Sequence, residues 1–123
     1  HILLAEDNEL NMEIAEFMLQ NEGADVTKAW NGREAVEIFR KSEPDEFDVI
    51  LMDIMMPVMN GYEATKMIRS LEREDAKTIP IIAMTANAFT EDRLKAKEAG
   101  MDEHIAKPVD PELLVKVIYE SVD

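Results

Sequence analysis

Along the chain, a short apolar run is followed by an amphipathic stretch with helical spacing five times over. Ile2-Leu3-Leu4-Ala5 has strand length, and Asn8 then stands where a helix N-cap belongs, with Glu22 near the end of that helix and Gly23 as its stop. Val26 to Trp30 reads as a second strand. Asn31 caps a second helix, in which Ala35, Ile38 and Phe39 recur at helical spacing. After a loop from Pro44 to Phe47, Val49-Ile50-Leu51-Met52 is apolar without alternation, the pattern of a strand buried on both faces. A loop with Pro57 and Asn60-Gly61 leads to a helix predicted to place Ala64, Met67, Ile68 and Leu71 on one face. Ile79 to Met84 is the predicted fourth strand, and Thr90 caps a helix that stops at Gly100. Ile105-Ala106 belongs to a short fifth strand. Asp110-Pro111 then opens a final helix carrying Leu113, Leu114, Val117 and Ile118.

Repeated βα units with buried strands specify a parallel sheet covered by helices on both faces. With five strands and right-handed crossovers, the predicted class is α/β, a doubly wound, flavodoxin-like (βα)5 fold of strand order 2-1-3-4-5. One domain over residues 1–123 accounts for the whole chain. In such folds ligands bind outside the carboxyl ends of the strands, where the strand order reverses.

Composition narrows the partners. The 27 Asp and Glu against 13 Lys and Arg give a net charge of −14, and no basic cluster is present, which argues against direct binding to nucleic acid or to anionic membranes. Hydrophobic content of 46% excludes a disordered acidic tail. Without cysteine there are no disulfides and no thiolate chemistry. The longest uncharged stretch, Thr78 to Thr90, is 13 residues and broken by Pro80, too short to insert in a bilayer. The expected compartment is the cytoplasm. A chain that opens at His1 without an initiator methionine reads as part of something longer, such as the cytoplasmic part of a membrane-bound sensor kinase.

Chemistry concentrates at the predicted carboxyl ends. Strand one ends at Glu6-Asp7, strand three at Asp53, strand four at Thr85 and strand five at Lys107-Pro108. Strands one and three are neighbours in the proposed order, so three carboxylates converge and repel one another unless a cation stands among them. Oxygen-only ligands suit Mg²⁺, with Mn²⁺ as its substitute. A carboxylate can also act as a nucleophile and form an acyl phosphate. Asp53 is the best placed for that role, with the Lys107 ammonium and the Thr85 hydroxyl available to the phosphoryl oxygens. The methionines Met52, Met55, Met56 and Met59 read as loop and core packing.

The segments LLAEDNELN, DVILMDIMMPVMNGYEA, IIAMTANAF and AGMDEHIAKPVD, in this order and spacing, resemble the successive motifs of the receiver domains of two-component response regulators. The wording EDNELN, MTANAF and GMDEHIAKP is most similar to receivers fused to hybrid histidine kinases. The resemblance implies that Glu6, Asp7, Asp53 and the backbone carbonyl of Met55 bind Mg²⁺. It also implies that Asp53 takes a phosphoryl group from a phosphohistidine and that Thr85 and Lys107 report its arrival. A histidine kinase or histidine phosphotransfer domain is the implied partner. Such a domain catalyses its own phosphorylation and dephosphorylation without being a turnover enzyme.

Two positions depart from the family pattern. Glu6 stands where Asp is also common, and its longer arm should reach the metal directly or through water. His104, three residues before Lys107, stands where many receivers carry a rotating Tyr or Phe; it reads either as a half-buried switch or as a surface residue. An FMN binder of the same fold should carry a Ser/Thr/Gly-rich loop after strand one, where Glu6-Asp7-Asn8-Glu9 stands. A phosphatase of the haloacid-dehalogenase type needs a second acid at the place of Met55. The first helix has apolar residues on two faces: Leu10, Ile14, Phe17 and Met18 on one, Met12, Ala15 and Leu19 on the other. The second stripe, with Asn11 at its edge and Pro108 nearby, is expected to stay partly exposed as the docking patch for the phosphohistidine partner. The Lys107–Pro108 bond is expected to be cis, which costs an X–Pro bond only about 0.5–1 kcal/mol.

Overall fold

A computed structural model describes residues 1–85, 90–106 and 110–121, with 90–93 as backbone only. The described elements are β1 (Ile2–Ala5), α1 (Glu9–Asn21), β2 (Val26–Ala29), α2 (Gly32–Lys41), β3 (Val49–Asp53), α3 (Gly61–Arg69), α4 (Glu74–Thr78), β4 (Ile81–Thr85), α5 (Thr90–Ala99), β5 (Glu103–Ala106) and α6 (Pro111–Ser121). The strands form one parallel sheet of order β2-β1-β3-β4-β5, as expected. Each helix start is fixed locally where an Asx residue precedes it. The side chains of Asn8, Asn31 and Asn60 accept from the backbone N–H groups of Asn11, Glu34 and Glu63, at 3.0, 2.8 and 2.9 Å. Asp110 does the same for α6, accepting from Glu112 at 3.0 Å. Gly23 stops α1 with φ of +86°, a conformation that an L side chain resists.

The continuous apolar strands bury both faces. Leu3, Ile50, Met52, Ile81 and Ala83 face Ala35, Val36 and Phe39 of α2 and Ala64 and Ile68 of α3. Ile2, Leu4, Val49, Leu51, Ile82 and Met84 face Met12, Ala15 and Leu19 of α1 and Leu114 of α6. Each fully buried Leu or Ile contributes about 1.5–3 kcal/mol, so the sheet's central strands are its firmest part. No helix among the described residues is long and apolar enough to cross a membrane.

Some expectations shift. β4 begins at Ile81 rather than Ile79, because Pro80 has no N–H to give a ladder; only its carbonyl pairs, accepting from Ile50 at 2.9 Å. α3 ends at Arg69, so Leu71 lies beyond it, and Met67 is exposed while Thr65 is buried beside Ile68. The short helix α4 has no side-chain cap bond at its start to mark it in the sequence. Its five residues are held by buried Ala76 and by two arginines. Arg69 Nη1 donates to the Ala76 carbonyl at 3.1 Å. Arg73 lies over the Phe39 ring, 4.8 Å from its centroid, and donates to the carbonyls of Phe39 and Ser42 at the end of α2.

Candidate functional site

β1 and β3 run side by side with Ala5 opposite Met52, so the next residues, Glu6 and Asp53, emerge as neighbours at the carboxyl edge. Glu6 N–H continues the pairing with β2, donating to the Ala29 carbonyl at 3.1 Å. Its carboxylate turns back to accept from the Asn8 N–H at 3.2 Å. Asp7 sits just before the N-cap of α1, where the positive end of the helix dipole favours an acid. One carboxylate oxygen each from Glu6, Asp7 and Asp53 lies within 4.8 Å of the others. Glu6 and Asp53 are only 2% and 3% exposed, whereas Asp7 faces solvent. Two buried like charges at that separation repel by on the order of 3 kcal/mol at an effective dielectric of about 20. A divalent cation removes that repulsion, and an open, oxygen-only set with one solvent-facing member suits Mg²⁺, which keeps several of its waters.

Thr85 is buried at the end of β4, one residue past Met84, which pairs with Asp53. Opposite Thr85 is Ala106, the residue before Lys107. Lys107, Pro108 and the bond between them lie outside the described residues. Met55 follows Asp53 by two residues on the β3–α3 loop, its side chain exposed. Of the other methionines, Met52 is core and Met56 and Met59 pack against it. His104 is half-buried on β5, paired with Ala83, and lines a groove of about 500 Å³ with Ala96, Lys97 and Met101.

The docking expectation is corrected. Met12, Ala15 and Leu19 are 1%, 7% and 2% exposed, packed on the sheet, while Leu10, Ile14 and Phe17 are 64%, 44% and 70% exposed. The physical reason is Ala15: a small residue at the centre of the stripe lets α1 approach the sheet closely. Asn11, expected at the edge of the Met12, Ala15 and Leu19 stripe, is exposed although that stripe is buried.

The β3–α3 loop is held by contacts that residue type alone did not reveal. Ile54 N–H donates to Met84 O at 3.1 Å, and Gly61 N–H donates to Ile54 O at 2.9 Å, closing the loop's base. A Cβ on Gly61 would stand 2.3 Å from the Asp53 carbonyl oxygen, so only glycine fits beneath the acid. Within the loop, Val58 has φ of +67°, a strained conformation for a β-branched residue that costs about 1–3 kcal/mol.

The sequence pattern of the response regulator receiver domain matches residues 2–119. The chain belongs to that family. It is 41% identical over 98% of its length to hybrid signal transduction histidine kinase I of Dictyostelium discoideum, and 38% identical over 95% to histidine kinase 1 of Arabidopsis thaliana. The chain spans only 7% and 12% of those two relatives. Among solved structures, it resembles the receiver domain of a sensor histidine kinase from Pseudomonas aeruginosa PAO1, which carries a magnesium ion in its active-site cleft. That likeness has a TM-score of 0.87 and 39% identity, covering 97% of this chain and 93% of the other. It also resembles the receiver domain of Ssk1, solved in complex with the Saccharomyces cerevisiae phosphotransfer protein Ypd1, with a TM-score of 0.88, 32% identity and coverage of 98% and 87%. This receiver domain therefore works in two-component phosphorelay signalling.

Proposed function

We propose that Asp53 is the phosphoacceptor of this receiver and that Glu6, Asp7 and Asp53 hold the Mg²⁺ the reaction needs. The observation carrying this reading is the meeting of three carboxylates at the ends of adjacent strands, two of them buried. The Met55 carbonyl is a further ligand by family resemblance, and Mn²⁺ substitutes because it takes the same oxygen donors. When bound, the ion neutralises charge on the phosphoryl oxygens. An Asp53 carboxylate oxygen attacks phosphorus, the P–N bond of a phosphohistidine breaks, and the imidazole leaves with the bonding electrons and takes up a proton. The product is an aspartyl phosphate. Thr85 and Lys107 contact the new phosphoryl group, and the resulting shift signals onward, with half-buried His104 as the candidate switch residue on β5.

The donor is a histidine kinase or a histidine phosphotransfer domain. Its helical bundle docks on the outward face of α1, where Leu10, Ile14 and Phe17 start beside the acid cluster and run away from it; exposed Asn11 borders the patch. The relatives support this choice of partner, since Ssk1's receiver was solved with Ypd1. In the cell the domain works in the cytoplasm, alone or as part of a sensor kinase. Calorimetric titration with Mg²⁺ tests the metal centre. The wild-type domain is expected to bind one ion and Asp7→Asn to bind it much more weakly; wild-type protein that takes up none would overturn the reading.

A further inference from the structure

Asp53 and Gly61 bracket a loop whose base is closed by backbone bonds, yet its tip carries the left-handed Val58. Inside the tip, Met59 N–H donates to Pro57 O at 2.7 Å. The tip's backbone bond to a neighbouring element comes from the start of α2, where Gly32 N–H donates to Met59 O at 3.0 Å. A Cβ built on Gly32 would stand 2.3 Å from that same oxygen, 2.9 Å from the Met59 carbonyl carbon and 3.0 Å from the Asn60 oxygen. All three neighbours are backbone, so no side chain can swing aside to admit a methyl group. Any larger residue must push the loop outward.

We propose that Gly32 is a positioning residue for the metal centre: its bare Cα and its N–H together hold the strained β3–α3 loop against the acid cluster. The inference rests on the functional reading above and extends it to a residue that touches neither ion nor phosphoryl group. The loop runs directly from Asp53 through Met55, so moving its tip disturbs the donors that the loop carries. Outer partners that orient metal ligands typically govern 10–100-fold of metal affinity.

Calorimetry with Mg²⁺ on two glycine variants tests this. Gly32→Ala is expected to lose about tenfold in Mg²⁺ affinity. Gly23→Ala is the control, since Gly23 has φ of +86° with nothing within 4 Å of its would-be Cβ. It should lose stability and keep its affinity. A Gly32→Ala protein with wild-type affinity, or equal losses in both variants, would overturn the proposal while leaving the metal site itself intact. Wild-type protein that binds no Mg²⁺ would remove the functional reading and this inference together. Should Gly32→Ala fail to fold, the wild-type domain still decides the matter through amide exchange by NMR. Linkage requires that a contact assisting Mg²⁺ binding be strengthened by it to the same degree, so saturating Mg²⁺ should slow exchange of the Gly32 amide about tenfold. An unchanged rate would contradict the proposal.

Discussion

Arg69 donates to the carbonyl oxygen of Gly100 through both Nε and Nη2, at 3.0 and 2.9 Å. Its Nη2 also reaches Asp102 Oδ2 at 2.9 Å, and that oxygen accepts from the Ile81 N–H at 2.9 Å. One guanidinium thus ties α3 to the end of α5 and to the starts of β4 and β5. Burial pushes its pKa down and the Asp102 carboxylate opposes that, yet an arginine stays charged throughout the accessible range. Arg69→Lys keeps the charge but loses the planar fork, and should cost about 2 kcal/mol in urea denaturation. Because the joint lies at the starts of β4 and β5, away from Asp53, labelling by acetyl phosphate should survive. A lysine variant as stable as wild type would show that charge alone suffices.

Arg73 and Asp75 predict a pH dependence. Two hydrogen bonds from the Arg73 guanidinium, at 2.9 and 2.7 Å, hold the Asp75 carboxyl below its ordinary value of 3.8, with the Asp45 N–H adding to the effect against the cost of burial. A depressed folded pKa contributes stability that is present above the unfolded value and is lost as pH falls through the folded one. Asp75→Asn should therefore cost about 1.5–3 kcal/mol at pH 7, with the gap to wild type closing below pH 3.8. A gap independent of pH would mean that the pair is not ionised as described.

Thr65 is fully buried on α3, and its hydroxyl has no hydrogen-bond partner among the described residues. A lone buried hydroxyl costs about 1–3 kcal/mol. Thr65→Val, which keeps the shape, should raise the melting temperature by about 4–12 °C. A lower melting temperature would reveal a bond that this arrangement does not contain.

The outward face of α1 predicts a split phenotype. Ile14→Glu should slow transfer from a phosphohistidine partner about tenfold and leave acetyl phosphate labelling unchanged. Ala15→Glu, by contrast, puts a charge beneath the helix and should unfold the domain, as circular dichroism would register. Equal transfer rates for Ile14→Glu and wild type would place the partner on another surface.

Much of this could be read from residue order because the signals are local. Asn8, Asn31 and Asp110 mark helix starts through bonds to residues two or three places on. Unalternating strands announce burial on both faces, and strand order then brings Glu6 and Asp53 together. What stayed hidden depends on tertiary contact. Two apolar stripes on α1 leave its rotation open until Ala15 meets the sheet. α4 is held by side chains from outside it, Arg69 on the Ala76 carbonyl and Arg73 on the Asp75 carboxylate. Gly32 and Gly61 look like ordinary loop glycines until the backbone of the β3–α3 loop lies against them.

The most direct test of the central claim is mass spectrometry of the domain after incubation with a phosphorylated histidine phosphotransfer protein and Mg²⁺. One phosphoryl group should appear on the peptide containing Asp53, be released by hydroxylamine, and vanish with EDTA or in Asp53→Asn. A domain that binds Mg²⁺ yet takes no phosphoryl group from phosphohistidine or acetyl phosphate, or takes it at another residue, would contradict the account.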